Sequence, residues 1–354
     1  MPLIISNEIA TELITMKECM ESLECVYKEE ARGGSGEPKQ VGHSCSNPRF
    51  QSLVPLCHYE GASLQLGFLA LRIKTDMVYW QLVNGIHREL WYTSRPGKYG
   101  GLILLFSIEN GELLAILNDG FVQHMRVVGT YALGAKYMSR PDTRVVGILG
   151  SGGMARGYLE ALSLVRAISK VKVFSPTREN REKYAREMGA KLNLDIVAVG
   201  SIEEAARDVD HLASMTDAVD PIIQPHFLNR GMHLCTVTTQ EMSPEAYRRI
   251  DRMVAHRTAL SEHLFVTDQR PRQLGGSHSR TSEWESVVPV KISFADLLLD
   301  RVLGRESDKE VTYFVSEGMG TQFAAVAGLI YKKAKERGVG REIPLDWFVQ
   351  DVRT

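Results

Sequence analysis

A glycine-rich turn at residues 144–155 constrains the fold of this chain more than any other feature of its sequence. An apolar strand leads into the pattern GxGxxA, and a helical stretch follows at once. Gly150 permits a tight turn, Gly152 lets phosphates approach the backbone, and Ala155 allows the helix to pack closely on the strand. This order of strand, glycines, helix and second strand predicts a dinucleotide-binding Rossmann fold. A glycine-rich turn in another α/β fold is the alternative.

The residues predicted to bind the dinucleotide lie in this turn and at the ends of the second, fourth and fifth strands. An acidic residue after the second strand would hold the ribose hydroxyls of NAD, but this chain has Ser-Pro-Thr-Arg at 175–178. Hydroxyls and an arginine suit a 2′-phosphate, so NADP(H) is favoured and NAD(H) is the alternative. A solvated Arg178 and a helix cap by Thr177 would explain the same residues. The predicted cofactor-binding set is Gly150, Ser151, Gly152, Gly153, Met154, Ala155, Ser175, Thr177, Arg178, Thr216 and Val237.

The hydrophobic pattern changes near Arg144. Before it, apolar runs between residues 53 and 106 are divided by Gly, Asn and Pro, and the dipeptide Asn84-Gly85 is typical of a hairpin. After it, short apolar strands alternate with helical stretches. The pattern predicts an α/β protein: a Rossmann doubly wound parallel sheet plus an α+β domain with a largely antiparallel sheet.

Length, charge and cysteine content exclude several classes of protein. The 354 residues exceed what one hydrophobic core usually supports, and the net charge of -1 gives no nucleic-acid footprint. The five cysteines are scattered without a CxxC pair, which argues against a zinc site and against a disulfide framework. We found neither a signal peptide nor a membrane-spanning apolar stretch, so we expect a cytoplasmic protein without metal, nucleic-acid or membrane partners.

Several segments in a consistent order resemble the ornithine cyclodeaminase/μ-crystallin family. They are Pro48-Arg49, residues 71–74, 111–120, Arg126, 132–137, 145–162, and 312–318 with the Ala-rich helix that follows. The resemblance implies a homodimer and a Rossmann domain at 126–320. It also implies a substrate and dimerisation domain at 1–125 that is completed by 321–354.

The resemblance further implies that Arg49, Lys74 and Arg126 surround the carboxylate of a small α-imino, α-keto or amino acid substrate. A guanidinium binds a carboxylate through two hydrogen bonds and stays charged. A lysine beside other cations exchanges its proton more readily, so Lys74 is the candidate catalytic acid/base. Arg72 lies two residues from Lys74 and should share its face of a strand, as a further contact or as a charge at the rim.

Other positions depart from the family or stay ambiguous. Ornithine cyclodeaminases carry an aspartate after the fifth Rossmann strand, where this chain has Thr239 or Gln240. Glu241 follows as an imperfect substitute. Asp119 is expected to cap the helix that bears Arg126. Gln65 or Glu60 could supply a carboxylate or amide near the lysine.

These residues favour an NAD(P)H-dependent oxidoreductase that reduces an α-imino acid, as a ketimine reductase or an amino acid dehydrogenase does. The missing aspartate counts against a cationic substrate, so an ornithine cyclodeaminase, a lyase that uses NAD⁺ catalytically, is the second hypothesis. A μ-crystallin-like protein that binds NADPH and a small ligand is the third.

Overall fold

The structure is a computed structural model and describes residues 1–36, 41–47, 52–95, 97–256, 264–265, 286–316 and 318–352. Its helices begin where the sequence supplies capping side chains: Ser6 accepts from the Ile9 amide, and Thr15 forms a capping box with Glu18. Gly338 ends the last helix with a φ of 63°, in the left-handed region that favours glycine. The helices are α1 Asn7–Leu13, α2 Met16–Ala31, α3 Asp119–Met138, α4 Gly153–Ser163, α5 Arg178–Leu192, α6 Ile202–Ala206, α7 Pro244–Tyr247, α8 Phe294–Leu298 and α9 Gly320–Arg337.

The strands form two sheets. Those before α3 are β1 Leu3–Ile5, β2 Ser35–Gly36, β3 Val41–Asn47, β4 Ser52–Ser63, β5 Phe68–Thr75, β6 Met77–Val83, β7 Ile86–Tyr92, β8 Leu102–Ser107 and β9 Leu113–Asn118. Those after it are β10 Val145–Leu149, β11 Lys170–Phe174, β12 Asp195–Ala198, β13 His211–Ser214, β14 His233–Thr236, β15 Arg252–His256, β16 Leu264–Phe265, β17 Val290–Lys291, β18 Thr312–Ser316 and β19 Arg341–Glu342.

The second sheet has the order β12-β11-β10-β13-β14-β18-β15-β17, and every pair of neighbours is parallel. Its central strands β10, β13, β14 and β18 are short and almost wholly buried, as is typical of a parallel sheet whose two faces are covered by helices. The chain reverses direction across the sheet between β11 and β13, on either side of β10. Ligands of this class of fold bind at that crevice, beyond the carboxyl ends of the strands.

The first sheet has the order β16-β3-β4-β5-β8-β9-β1-β19 and is antiparallel except where β1 pairs with β9 and β16 with β3. The hairpin of β6 and β7 extends from β4, and its turn is the predicted Asn84-Gly85, both at positive φ. The predicted fold class, a parallel Rossmann sheet with a largely antiparallel second sheet, is therefore confirmed. The predicted domain boundaries stay a prediction.

Two long helices link the sheets and set up the site. Along α3 nearly every residue after Met125 is buried, because this helix packs on α2, α4, α9 and β18. Helix α9 lies across β4 and β5, and a Cβ on Gly320 would come within 2.0 Å of the Glu60 carbonyl oxygen. This close approach fixes where the start of α9 meets the sheet. Within the described ranges, the helices are too short or too polar to cross a membrane.

Candidate active site

A cleft of about 590 Å³ opens at the carboxyl ends of β10, β11 and β13. Residues 149–154 form its floor, and five of the predicted cofactor residues in this turn, from Gly150 to Met154, line it. The sixth, Ala155, is buried inside α4, where its carbonyl oxygen accepts a hydrogen bond from Tyr184. The packing role predicted for this alanine fits that position.

Gly150 and Gly152 of the turn lie in different steric environments. Gly150 has a φ of +100°, and a Cβ there would lie 2.5 Å from the Met215 carbonyl oxygen. A Cβ on Gly152 would meet nothing within 4 Å, so this position faces open space at the start of α4. No side chain caps this helix, so its first N–H groups remain available to an anion. Ser151 donates to Ser175 at 3.0 Å, which ties the turn to the end of β11. The residues present therefore fit the pyrophosphate of a dinucleotide.

The far end of the cleft differs from the prediction. Ser175 and Thr177 line it, but Arg178 does not, because this exposed side chain pairs with Glu182 at 2.6 Å one turn along α5. Asn180 and Lys183 line the cleft instead. Thr177 occupies the N-cap position without a side-chain cap hydrogen bond, so its hydroxyl does not cap α5 as the alternative interpretation required.

Of the two residues predicted at the ends of β13 and β14, Thr216 lines the cleft and Val237 does not. Thr216 lines the cleft, and its hydroxyl hydrogen-bonds to the carboxyl group of Glu241, which also accepts from Ser214 at 2.8 Å. Burial raises the pKa of Glu241 to about 7, although the hydroxyls of Thr216 and Ser214 favour its ionised form. Val237 lies beside this network, and its amide donates to the Ser214 carbonyl at 3.0 Å. Glu241 is fully buried and joins two strand ends, so it is not a group that meets a substrate amine.

The β6–β7 hairpin closes the cleft from the side of the first sheet. Val83 and Ile86 at its tip line the cleft, and Arg88 forms a two-pronged pair with Asp217 at 2.6 and 2.5 Å. The backbone of β7 also hydrogen-bonds to the loop after β13, since the Glu89 amide donates to the Asp217 carbonyl at 3.2 Å. Sequence reasoning missed this contact because its partners lie about 130 residues apart.

Two elements connect the cleft to a cluster of cations. Helix α3 places His124 against Gly153 at the cleft, where burial lowers the histidine pKa, and carries Arg126 two residues further on. Strand β7 carries Arg88 at the cleft and Trp91 at the ring that contacts Lys74. The dinucleotide cleft and the cation cluster, formed by Arg72, Lys74 and Arg126, are therefore connected through α3 and β7.

Arg72 and Asp119 form the most buried ion pair of the cluster. Arg72 Nε donates to Asp119 Oδ2 at 2.8 Å, and its Nη2 lies 2.6 Å from the same oxygen. The guanidinium lies 5.2 Å from the ring centre of Tyr59 and 5.3 Å from that of Phe323. The expected capping role of Asp119 is wrong: Asn118, one residue earlier, caps α3 by accepting from the Gly120 amide at 2.9 Å.

Lys74 lies on the same face of β5 as Arg72, as predicted. Its Nζ is 2.6 Å from Asp76 Oδ2, and its side chain is only 11% exposed. The rings of Trp91 and Tyr99 flank the ammonium at 4.1 and 4.4 Å. The sequence pointed to neither aromatic residue as a partner of Lys74.

Arg126 is buried without a carboxylate partner in the described part of the chain. It donates to the side-chain oxygen of Gln123 at 3.1 and 2.6 Å and to that of Gln322 at 2.8 Å. Burial lowers the pKa of its guanidinium. Gly318, at a φ of +88°, leaves room beside it, since a Cβ there would lie 2.3 Å from Arg126 Nη1. A buried cation whose partners in the described ranges are neutral oxygens is suited to bind an anion.

Arg49 lies outside the described residues. Glu60 pairs with Leu71 across the sheet and is exposed on the side away from Arg72. Gln65 lies in the β4–β5 turn, where its backbone N–H donates to the carboxylate of Glu29. Neither therefore lies near Lys74. Among the described residues, no group of His, Cys, Asp or Glu could hold a metal ion.

Fold and site together define a dinucleotide-binding enzyme in which α3 and β7 connect the cofactor cleft to a cluster of largely buried cations. The sequence profile of the ornithine cyclodeaminase/mu-crystallin family matches residues 5–338, so the chain belongs to that family, as predicted.

The chain is also similar in sequence to named enzymes and in fold to a solved structure. Delta(1)-pyrroline-2-carboxylate reductase of Bacillus cereus is 27% identical over 248 residues, covering 69% of this chain and 74% of that protein. Ketimine reductase mu-crystallin of Macropus fuliginosus is 24% identical over 284 residues, covering 79% and 83%. The structure of Thermococcus litoralis Delta(1)-pyrroline-2-carboxylate reductase in complex with NADH and L-proline has a TM-score of 0.77 at 25% identity, covering 96% of this chain and 100% of that one.

Proposed function

We propose that this protein is an NAD(P)H-dependent reductase of α-imino acids, in which Arg126 binds the substrate carboxylate and Lys74 protonates the imine nitrogen. The observation that carries the proposal is the buried guanidinium of Arg126, whose hydrogen-bond partners among the described residues are two amide oxygens. A carboxylate would neutralise this charge and would bind the planar guanidinium through two hydrogen bonds. The relatives named as imine reductases support the same chemistry.

The other residues of the site divide the remaining tasks. The nicotinamide cofactor, when bound, supplies the hydride. Gln123 and Gln322 orient the Arg126 guanidinium from two sides, and the ring of Phe323 lies 5.0 Å from its centre. Asp119 neutralises Arg72, which leaves Arg126 as the cation of this pair that can receive the substrate. Arg49 stays a predicted third contact.

A lyase of the cyclodeaminase type is disfavoured. A cationic ornithine side chain and its amine need anionic partners, and Glu241, the one candidate near the end of β14, is bound by Ser214 and Thr216 below the cleft. A protein that only binds ligands is also disfavoured. A protein that only held a cofactor would not need Lys74 and Arg126, two largely buried cations that are held in place by neighbouring side chains.

We further propose that NADP(H) is preferred over NAD(H). The end of β11 offers the hydroxyls of Ser175 and Thr177 and no acidic side chain that would repel a 2′-phosphate. Lys183 lines the same end of the cleft and brings a positive charge to it. These groups replace Arg178 in the role that the sequence predicted for the arginine.

We also propose a homodimer, formed through the outer face of the first sheet. On this face, away from α9, β5 and β8 pair Leu69 with Phe106 and Leu71 with Leu104. Ile4, Leu69 and Leu102 there are 41%, 37% and 51% exposed. Exposed apolar side chains on neighbouring strands of one face favour an interaction surface. A second copy, with the same face, would cover it with matching chemistry.

The test is a screen of NADPH oxidation with cyclic imino acids and with α-keto acids, each with and without amines. Ornithine serves as the control for the lyase. The wild-type protein should consume NADPH in proportion to imine, and Lys74→Ala should bind NADPH unchanged while losing about a hundredfold or more in rate. Ammonia release from ornithine without net NADPH consumption, or full turnover by Lys74→Ala, would overturn the proposal.

A further inference from the structure

We propose that Trp91 and Tyr99 are positioning residues that clamp the Lys74 side chain and keep it in its ammonium form as the proton donor. This inference rests on the proposed function, because it assigns the direction in which Lys74 works. The three side chains come from β5, from β7 and from the loop between β7 and β8, so the fold builds the arrangement from separate elements.

The geometry of the clamp is that of an aromatic cage for a cation. Nζ of Lys74 lies 4.1 Å from the ring centre of Trp91 and 4.4 Å from that of Tyr99, within the range of cation–π attraction. Asp76 Oδ2 lies 2.6 Å from the same nitrogen. This carboxylate is itself held, because Thr93 donates to its other oxygen at 2.6 Å.

These partners favour the charged amine over the neutral one. Burial alone would disfavour the ammonium. A nearby carboxylate opposes that effect, and so do two ring faces, which attract a cation but not a neutral amine. The sequence suggested a lysine among cations, which would release its proton readily. The structure adds an acid and two rings to Arg72 on the same face of β5, and these three groups retain the proton until a stronger acceptor arrives.

An imine nitrogen that is gaining electrons is such an acceptor. Reduction of the C=N bond adds a hydride, with its two electrons, to carbon, and one proton to nitrogen. The hydride comes from the nicotinamide cofactor and the proton from Lys74 Nζ, which is left as a neutral amine. Water restores that proton, because the Lys74 side chain is 11% exposed and Tyr99 beside it is 44% exposed.

The clamp predicts a specific change in the pH profile of imine reduction. Loss of the Lys74 proton should set the basic limb of kcat/KM. Removal of one ring, in Trp91→Leu or Tyr99→Leu, should move that limb down by about one pH unit, a tenfold loss of preference for the ammonium. The conservative variants Trp91→Phe and Tyr99→Phe keep a ring, so their basic limb should stay close to that of the wild-type protein. Trp347→Leu, an equally large change at a side chain that is 73% exposed, should leave the profile unchanged.

A second measurement does not depend on turnover. In protein labelled with ¹³C-lysine, the resonance of Lys74 is assigned by its absence in Lys74→Arg and is titrated with NADPH bound. The midpoint should fall by about one unit in Trp91→Leu. Equal midpoints in wild type and Trp91→Leu would overturn the clamp. If the midpoint falls in Trp91→Leu but the wild-type protein reduces no imine, the proposed function is contradicted and the clamp is not, so the two failures are distinguishable.

Discussion

Arg126 Nη1 donates to the amide oxygen of Gln322 at 2.8 Å, at the buried start of α9. A carboxylate at that position would have satisfied the same geometry and neutralised the charge, as Asp119 does for Arg72. Within the described residues, one guanidinium of the cluster is therefore paired with a carboxylate and the other with amide oxygens. Because a buried cation without a compensating charge lowers stability, the arrangement supports the proposal that Arg126 binds an anionic substrate.

The first prediction concerns Arg126. Arg126→Gln should lower kcat/KM for an imino acid by about a hundredfold or more, since it removes a buried charge-assisted contact to the carboxylate. The melting temperature should stay the same or rise, because a buried unpaired charge disappears. Steady-state kinetics and thermal unfolding of the same preparation test both parts.

Arg126→Lys is the matched control for charge. It should recover part of the lost kcat/KM, because it restores a point charge without the two-pronged geometry. The affinity for NADPH should change in neither variant. Weakened NADPH binding in both variants would mean that Arg126 serves the cofactor cleft and not the substrate.

The second prediction separates two basic residues of α5. Lys183→Ala should weaken NADPH binding by about tenfold and leave NADH binding nearly unchanged, because one charge-assisted hydrogen bond to the 2′-phosphate is lost. Arg178→Ala should affect both cofactors little, since this side chain pairs with Glu182 outside the cleft. Fluorescence titration of reduced cofactor measures both. A larger loss in Arg178→Ala would reinstate the role that the sequence predicted.

The third prediction follows from the raised pKa of Glu241. Its folded-state pKa of about 7 exceeds the ordinary value of 4.5, so its contribution to stability is complete below pH 4.5 and is lost as the pH rises through 7. Across that window the loss amounts to at most about 3 kcal/mol. Glu241→Gln, which stays neutral, should therefore show a flatter decline. Urea unfolding at pH 5 and pH 8 tests this, and a difference between the two proteins that does not change with pH would contradict it.

The fourth prediction concerns the outer face of the first sheet. Leu69→Glu should convert the dimer into a monomer, because a buried unpaired carboxylate in an apolar interface is costly. Leu164→Glu, at a residue that is 51% exposed after α4, is the control and should remain dimeric. Light scattering after size-exclusion chromatography gives both masses. A wild-type monomer would contradict the proposed homodimer.

Local sequence signals predicted most of the architecture. The glycine turn predicted β10 and α4, and Asn84-Gly85 predicted the β6–β7 turn. These signals succeed because each reports a conformation that a few adjacent residues determine. The cap of α3 was assigned to Asp119 one residue too late, since Asn118 and Asp119 are both good caps and only the contact to Arg72 distinguishes them.

The site was predictable only in part, because its specific contacts join distant segments. Arg126 and Gln322 are 196 residues apart, and Arg88 and Asp217 are 129 apart. Lys74 was identified through the family resemblance. No sequence pattern indicated that Asp76, two residues further on, would pair with it, because this contact depends on the turn between β5 and β6. Pairings of this kind depend on tertiary packing, which a pattern of residue types does not encode.

The most direct test of the central claim compares two substrates that differ only in the carboxylate. Oxidation of NADPH is followed with Δ1-pyrroline-2-carboxylate and with 1-pyrroline, which keeps the ring imine and lacks the acid group. Binding at Arg126 predicts that kcat/KM for the carboxylate exceeds that for the simple imine by about a hundredfold or more, and that Arg126→Gln removes most of the difference. Equal values for the two imines in the wild-type protein would contradict it.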